Sequence, residues 1–311
     1  MPDFRIGERG DAVINYLRDH FGGFFDVIQQ VMTDLLGLTY QALSALSPLA
    51  MIALLTVLAL VATRRIGLTL ILGVGLLVIE SMDLWFETMQ SMATVLGATA
   101  VALVVGIPLG IWSAFSPVVR AIVTPLLDFM QTIPVFVYLL PTVLFFGIGP
   151  VPGVVATIVF AAPPAVRLTQ LGIRQVDAET VEAATAFGAS RWEVLREVQL
   201  PLAKATIMAG VNQVIMLALS MVVVAGLVGG GGLGSIVVNA VQSLQIGASI
   251  EGGLAVVILA IYLDRVSSAL GGQGRGNPTW WPRRKPAGAD AAHAEQVADG
   301  VGAPPLSKAA A

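Results

Sequence analysis

The chain has 311 residues, 56% of them hydrophobic and only 12% charged, with a mean hydropathy of +0.83 and a formal net charge of −3. That is far more apolar than a soluble domain needs to fill its core, and it predicts an all-α polytopic membrane protein. The absence of cysteine excludes a disulfide framework, a thiolate metal site and a cysteine nucleophile, while His20 and His293, each isolated in a terminal arm, read as surface residues.

Residues 1–41 mix acids and bases without the basic-then-apolar order of a signal peptide, so the first span must target the chain. Within this arm Val13, Leu17, Phe21, Phe24, Phe25, Ile28, Met32, Leu35 and Leu36 recur at three-to-four spacing, which predicts an amphipathic helix on the outer membrane interface, a small folded cap being the alternative. A hydrocarbon core of roughly 30 Å takes about 20 helical residues to cross. Apolar runs of about that length occupy 42–62, 91–115, 121–146, 153–169, 206–228 and 252–270, and a shorter one at 66–79 spans if 82–86 extend it. About seven transmembrane helices are therefore expected.

Gly106 and Gly110 have the small-xxx-small spacing that lets two helices pack closely. Pro125, Pro134 and Pro141 each remove an intrahelical hydrogen bond from the 121–146 span, which should be kinked. Near the start of that span Asp128, with Gln131 and Thr132, either lines a pathway or caps a helix end at the interface. Asn212 and Gln213 are open between interhelical hydrogen bonding and pathway lining. Gly229, Gly231 and Gly234 satisfy G-x-G-x-x-G only through a glycine run with no preceding strand, so a phosphate cradle is not indicated. Gly231, Gly232 and Gly234 instead predict a turn into a short re-entrant helix at 233–244, a candidate gate. Tyr138, Phe136, Phe145, Phe146 and Phe160 could offer aromatic faces to a cation, although packing between helices is the commoner use. After 271 the composition turns to Gly, Pro, Ala and charge, predicting a disordered tail that Trp280, Trp281, Arg283, Arg284 and Lys285 could anchor to lipid.

Against this apolar background, 182–201 is a polar island, EAATAFGASRWEVLREVQLP. Asp177 is placed to cap a helix from Ala178 to Phe187, Gly188 supplies a left-handed stop, and Ser190 with Glu193 forms an S-x-x-E capping box that opens a second helix ending near Leu200 and Pro201. Ala183, Ala184 and Gly188 lack bulk, so a partner's groove can approach the backbone. With the island on the cytoplasmic side and seven spans counted alternately, fourteen of the seventeen Lys and Arg residues fall inside, and the outer loops 80–90, 147–152 and 229–251 contain none. The positive-inside rule then gives an amino terminus outside and a carboxyl terminus in the cytoplasm.

Glu182-Ala183-Ala184, three residues, Gly188, nine residues, Val198, one residue and Leu200-Pro201 resemble the EAA signature of the permease subunits of binding-protein-dependent ABC importers, with Val198 where isoleucine is usual. The flanking segments, PLLDFMQTIPVFVYLLPTVLFFGIG before and VNQVIMLALSMVVVAGLVGGGGLGSIVVNA after, are similar to the glycine betaine and proline betaine (ProU-type) branch. The resemblance implies a type I importer with a MetI-like core over 90–270, two amino-terminal spans over 42–89, and a cytoplasmic coupling loop over 170–205. In that reading Glu182, Ala183, Ala184, Gly188, Leu200 and Pro201 couple the chain to a partner ATPase. The implied assembly sits in the bacterial cytoplasmic (inner) membrane. It holds two ATPase subunits, an extracytoplasmic solute-binding protein and a second permease copy, and involves no nucleic acid. This chain would hydrolyse nothing and bind no cofactor or metal, and the solute would be glycine betaine, choline or proline betaine. A methionine- or other amino-acid-type permease is the alternative within the class. A secondary carrier would need an inverted repeat, which the sequence lacks.

Overall fold

The computed structural model describes residues 6–271, and every regular element among them is helical; the expected disordered tail and its Trp280–Lys285 anchor lie outside the described residues. In chain order the helices are Ile6–Ser44 (α1), Pro48–Thr63 (α2), Ile66–Ser81 (α3), Trp85–Phe115 (α4), Pro117–Thr132 (α5), Val135–Phe146 (α6), Pro150–Arg174 (α7), Ala178–Ala186 (α8) and Arg191–Glu193 (α9). A π-helical stretch, Val194–Gln199, then leads into Leu200–Gly226 (α10), followed by Gly232–Gln242 (α11) and Ile246–Leu270 (α12).

Four of these, α4, α7, the continuous Arg191–Gly226 rod and α12, are long and apolar enough to cross a membrane alone, and up to six spans result if two bent pairs each count as one. The helical character and the apolar segments follow the sequence, but several boundaries do not. The predicted 42–62 span begins at Pro48, because α1 continues to Ser44 and a 97° bend at 45–47 separates them. Pro48 has no N–H and sits in the first turn of α2, where none is needed. Residues 82–86 do not extend the third segment: Asp83 takes a left-handed φ of 57° and Trp85 already starts α4. The expected kink in 121–146 is a full break, with α5 and α6 bent by 97° at Ile133 and Pro134. Pro134 holds the residue before it in the extended region (Ile133 φ −69°, ψ 130°), which no α-helix accommodates. Pro125 and Pro141, by contrast, are carried inside their helices.

The centre of the bundle is α7, packed between α4 and α10. Close approach explains how. A Cβ on Gly106 would stand 2.7 Å from that of Ala165, and one on Gly110 would stand 2.7 Å from the Val166 carbonyl oxygen, so α4 meets α7 along the predicted glycine pair. Around this centre α2, α3 and α12 pack as a second layer, in which the fully buried Tyr262 donates to the Leu55 carbonyl at 2.9 Å and so links α12 to α2. Helix α1 buries Met32 and Leu36, and Phe25 stacks on Phe145 with ring centroids 4.3 Å apart, so the arm is packed onto α4, α6 and α7.

Candidate coupling hairpin and membrane path

At one end of the bundle α7 passes through Gln175, Val176 and Asp177 into α8. The Asp177 carboxylate accepts from the Glu179 N–H at 3.4 Å, satisfying one of the orphan donors at the start of the helix. The chain leaves α8 through Gly188 at φ +89°, a conformation that suits glycine and strains a side-chain-bearing residue. Ser190 and Glu193 then form the predicted capping box: the Ser190 hydroxyl accepts from the Glu193 N–H at 3.4 Å, and the Glu193 carboxylate accepts from the Ser190 N–H at 2.7 Å. The Ser190 backbone N–H, and after it the Ser190 hydroxyl beside the carboxylate, hold the Glu193 carboxyl below the usual carboxylate range.

The second helix does not end near Leu200 and Pro201. It continues as a single 36-residue rod, Arg191–Gly226, through the π-helical stretch. Pro201 lacks an N–H and its ring would press on the carbonyl four residues earlier; the wider π turns immediately ahead of it take up that mismatch. Leu200 packs with Leu195 and Ala203 against Ile173, while Pro201 is exposed.

None of the α8 side chains is fully buried. Val181 and Ala184 are half-buried on the side that meets the π segment, whereas Ala183, Thr185 and Ala186 are exposed. Glu182 is also exposed and lines a cleft of about 290 Å³ with Phe115, Arg174, Val176 and Gln199, beneath the ends of α4 and α7. At the tip Phe187 is 94% exposed and Trp192 65% exposed. Sequence reasoning missed these two aromatics; their isolation inside a polar island was the signal, since exposed aromatics flanking a small-residue turn are what a partner's pocket takes.

Behind the hairpin the helix ends are stitched together. Arg120 donates to the Ser113 and Ala114 carbonyls at 3.3 Å each, satisfying the C-terminal end of α4, and Ser113 donates to Gln170 at 3.0 Å across to α7. Asp128 is not a helix cap. It forms an ion pair with Arg167, which lies two turns before the end of α7, a helix that continues to Arg174, beyond the predicted end of the span at 169. Gln131, one turn beyond Asp128, is exposed on α5.

At the other end of the bundle Gly231 and Gly232 take φ +71° and +64°. The N–H groups that open α11 are already taken: Gln90 accepts from Gly232 at 2.7 Å and Ser91 accepts from Leu233 at 2.8 Å. This turn is thus clamped to α4, and Gly234 lies against the backbone of Val222 on α10. Asn212 donates to Ser268 at 3.1 Å, joining α10 to α12. The five candidate aromatics do not converge: Phe145 and Phe146 pack on Phe25, Tyr138 and Phe160 pack around Leu139 and Met221, and Phe136 is exposed.

Ser190→Ala should destabilise the hairpin by about 1 kcal/mol, the usual worth of such a cap, seen as faster amide hydrogen exchange across 190–193. In the unaltered chain the Glu193 contact is complete at neutral pH, because a lowered carboxyl pKa stabilises above the unfolded value. It should be lost as pH falls through the lowered value, and exchange protection that stayed flat across that range would contradict the box.

Residues 106–271 match the family described as binding-protein-dependent transport system inner membrane component. Over 267 residues the chain is 45% identical to the glycine betaine transport system permease protein OpuAB of Bacillus subtilis (strain 168), covering 86% of this chain and 94% of that one. It is 48% identical over 276 residues to the glycine betaine/carnitine transport permease protein GbuB of Listeria monocytogenes, covering 86% and 96%. The fold is similar to that of the MetNI methionine ABC transporter in an inward-facing conformation, with a TM-score of 0.55 at 20% identity, covering 62% of this chain and 96% of that one; at that identity the likeness is one of fold alone. With just over half its length matched by the family and close relatives along most of it, the chain belongs to the inner-membrane components of binding-protein-dependent transport systems.

Proposed function

We propose that this chain is the permease subunit of an ATP-driven importer for glycine betaine or a related quaternary ammonium solute. It works as a homodimer with two ATPase subunits docked on the α8–α9 hairpin and a solute-binding protein at the opposite face. The hairpin is the observation that carries this reading. Its Gly188 turn and capping box hold it in one shape, and it joins two central helices directly, so a push on it moves α7 and α10 as rigid bodies. Glu182, Ala183, Ala184 and Gly188 form the docking surface, with Phe187 and Trp192 as its apolar anchors, and Leu200 and Pro201 carry the motion into α10. The run of basic residues on this side supports a cytoplasmic hairpin, an amino terminus outside and a carboxyl terminus inside. Nucleotide is bound by the ATPase subunits, and this chain holds no cofactor of its own. The solute is proposed from the names of the relatives at 45% and 48% identity.

Proteoliposomes containing the chain, its ATPase and its solute-binding protein should accumulate labelled glycine betaine only when ATP is supplied on the hairpin side. Excess methionine should not compete. Uptake that follows an ion gradient without ATP would reject the reading.

A further inference from the structure

Two polar stripes lie on the neighbouring helices α5 and α7, and the α7 stripe opens on a cleft. On α5, Thr124, Asp128 and Gln131 recur at i, i+4 and i+7; on α7, Arg167, Gln170 and Arg174 recur at i, i+3 and i+7. Thr124 and the three α7 residues line an open cleft of about 490 Å³. At 1.5 Å per residue, Arg167 sits about 10 Å from the hairpin end of α7 and Asp128 about 16 Å from the start of α5. Half-exposed charges at such depth do not face hydrocarbon; they face water or protein.

We infer that the Asp128–Arg167 pair is a latch on the half of the translocation path nearest the hairpin, holding α5 against α7 in one state of the transport cycle and releasing it in the other. This rests on the importer reading above. Three observations carry it. First, beyond the Arg120 bonds that pin its first turn to the end of α4, α5 is lightly held: its buried residues are Val123 and Leu127 alone, packed on Val166, and it is separated from α6 by the 97° break at Pro134. A helix pinned at its first turn, broken at its far end and resting on one narrow apolar seam can rock about the pinned turn. Second, the ion pair engages only one terminal nitrogen of Arg167, and its Nε is enclosed without a partner, so this arrangement leaves the guanidinium fork unsatisfied and a second arrangement has something to gain. Third, Arg167 stands two turns before the end of α7, and only Gln175, Val176 and Asp177 separate that end from α8, so displacement of the hairpin reaches the latch through a three-residue link and two helical turns. Asp128 and Arg167 are positioning residues: they set which way α5 stands.

The test uses the full complex in proteoliposomes and reads ATP hydrolysed per solute imported, a ratio that mere loss of folded protein would not move. Asp128→Asn and Arg167→Gln should each raise that ratio at least about tenfold, and the reversed pair, Asp128→Arg with Arg167→Asp, should bring it back to within about threefold of wild type, the restored pairing being worth a tenfold-scale coupling. If a single variant fails to assemble with the ATPase, the reversed pair is compared with the doubly neutral Asp128→Asn/Arg167→Gln instead. A ratio unchanged in the neutral variants, or a reversed pair no better than they are, overturns the latch. Wild-type protein that shows no ATP-dependent uptake defeats the importer reading itself, whereas a coupled wild type with indifferent variants defeats the latch alone.

Discussion

Phe187→Ala combined with Trp192→Ala is expected to release the ATPase subunits from the membrane complex while the chain itself stays inserted. Both side chains are among the most exposed large apolar groups of the polar hairpin, and neither supports the bundle, whose buried clusters lie elsewhere. Truncating a buried aromatic anchor of an interface costs about 2 kcal/mol or more, which is about thirtyfold in affinity for each. Gly188→Val acts by another route. At φ +89° a β-branched residue is strained by about 1 to 3 kcal/mol, and the turn must move, taking the capping box and the tip with it. Glu182→Lys reverses charge on the same surface without touching the turn, and should uncouple hydrolysis from uptake. Co-purification of the ATPase with detergent-solubilised chain, alongside uptake, separates these cases. An ATPase affinity within about threefold of wild type for the double aromatic variant, well short of the loss expected of two anchors, would mean that the hairpin does not dock through its tip.

The parts of this site that could be read along the chain are those set by local chemistry. Asp177, Gly188, Ser190 and Glu193 act on backbone groups within three residues, so their spacing alone specified the caps and the turn that the structure contains. The Gly106–Gly110 pair was legible for the same reason, since a fixed helical spacing makes a flat face whatever packs on it. Contacts between distant segments were not legible. Asp128 and Arg167 are thirty-nine residues apart, and no periodicity pairs them; only the placement of α5 beside α7 does. The clamp of Gln90 and Ser91 on Gly232 and Leu233 spans 142 residues in both bonds. Prolines were legible as interruptions but not in their outcome. Pro134 breaks its span, Pro125 and Pro141 do not, and Pro201 is absorbed by π turns, because the surrounding packing decides whether a missing hydrogen bond bends the chain or is taken up.

Gly234→Ala should be the most damaging single methyl group at the far end of the bundle. A Cβ there would run into the Val222 carbonyl, with the Val222 carbonyl carbon at 2.7 Å and the Val223 Cα at 3.2 Å, all backbone atoms that cannot rotate away. Gly226 meets the same crossing from the α10 side, where its Cβ would strike the Gly234 backbone. The start of α11 is also bonded to α4, from Gly232 and Leu233 to Gln90 and Ser91, so a shift of α11 away from α10 strains those bonds. Overpacking of this kind costs about 1 to 3 kcal/mol and more where relaxation is blocked, which for a chain of this size lowers the melting temperature by roughly 2 to 5 °C. Gly253→Ala is the matched control: it lies in α12, its Cβ would meet nothing within 4 Å, and replacing a helical glycine there should leave stability unchanged or raise it by about 0.5 to 1 kcal/mol. The two variants differ from wild type by the same single carbon, so a comparable melting temperature for both would show that α10 and α11 do not cross at contact distance. A fall confined to Gly234→Ala would show that α10 and α11 cross at backbone contact distance.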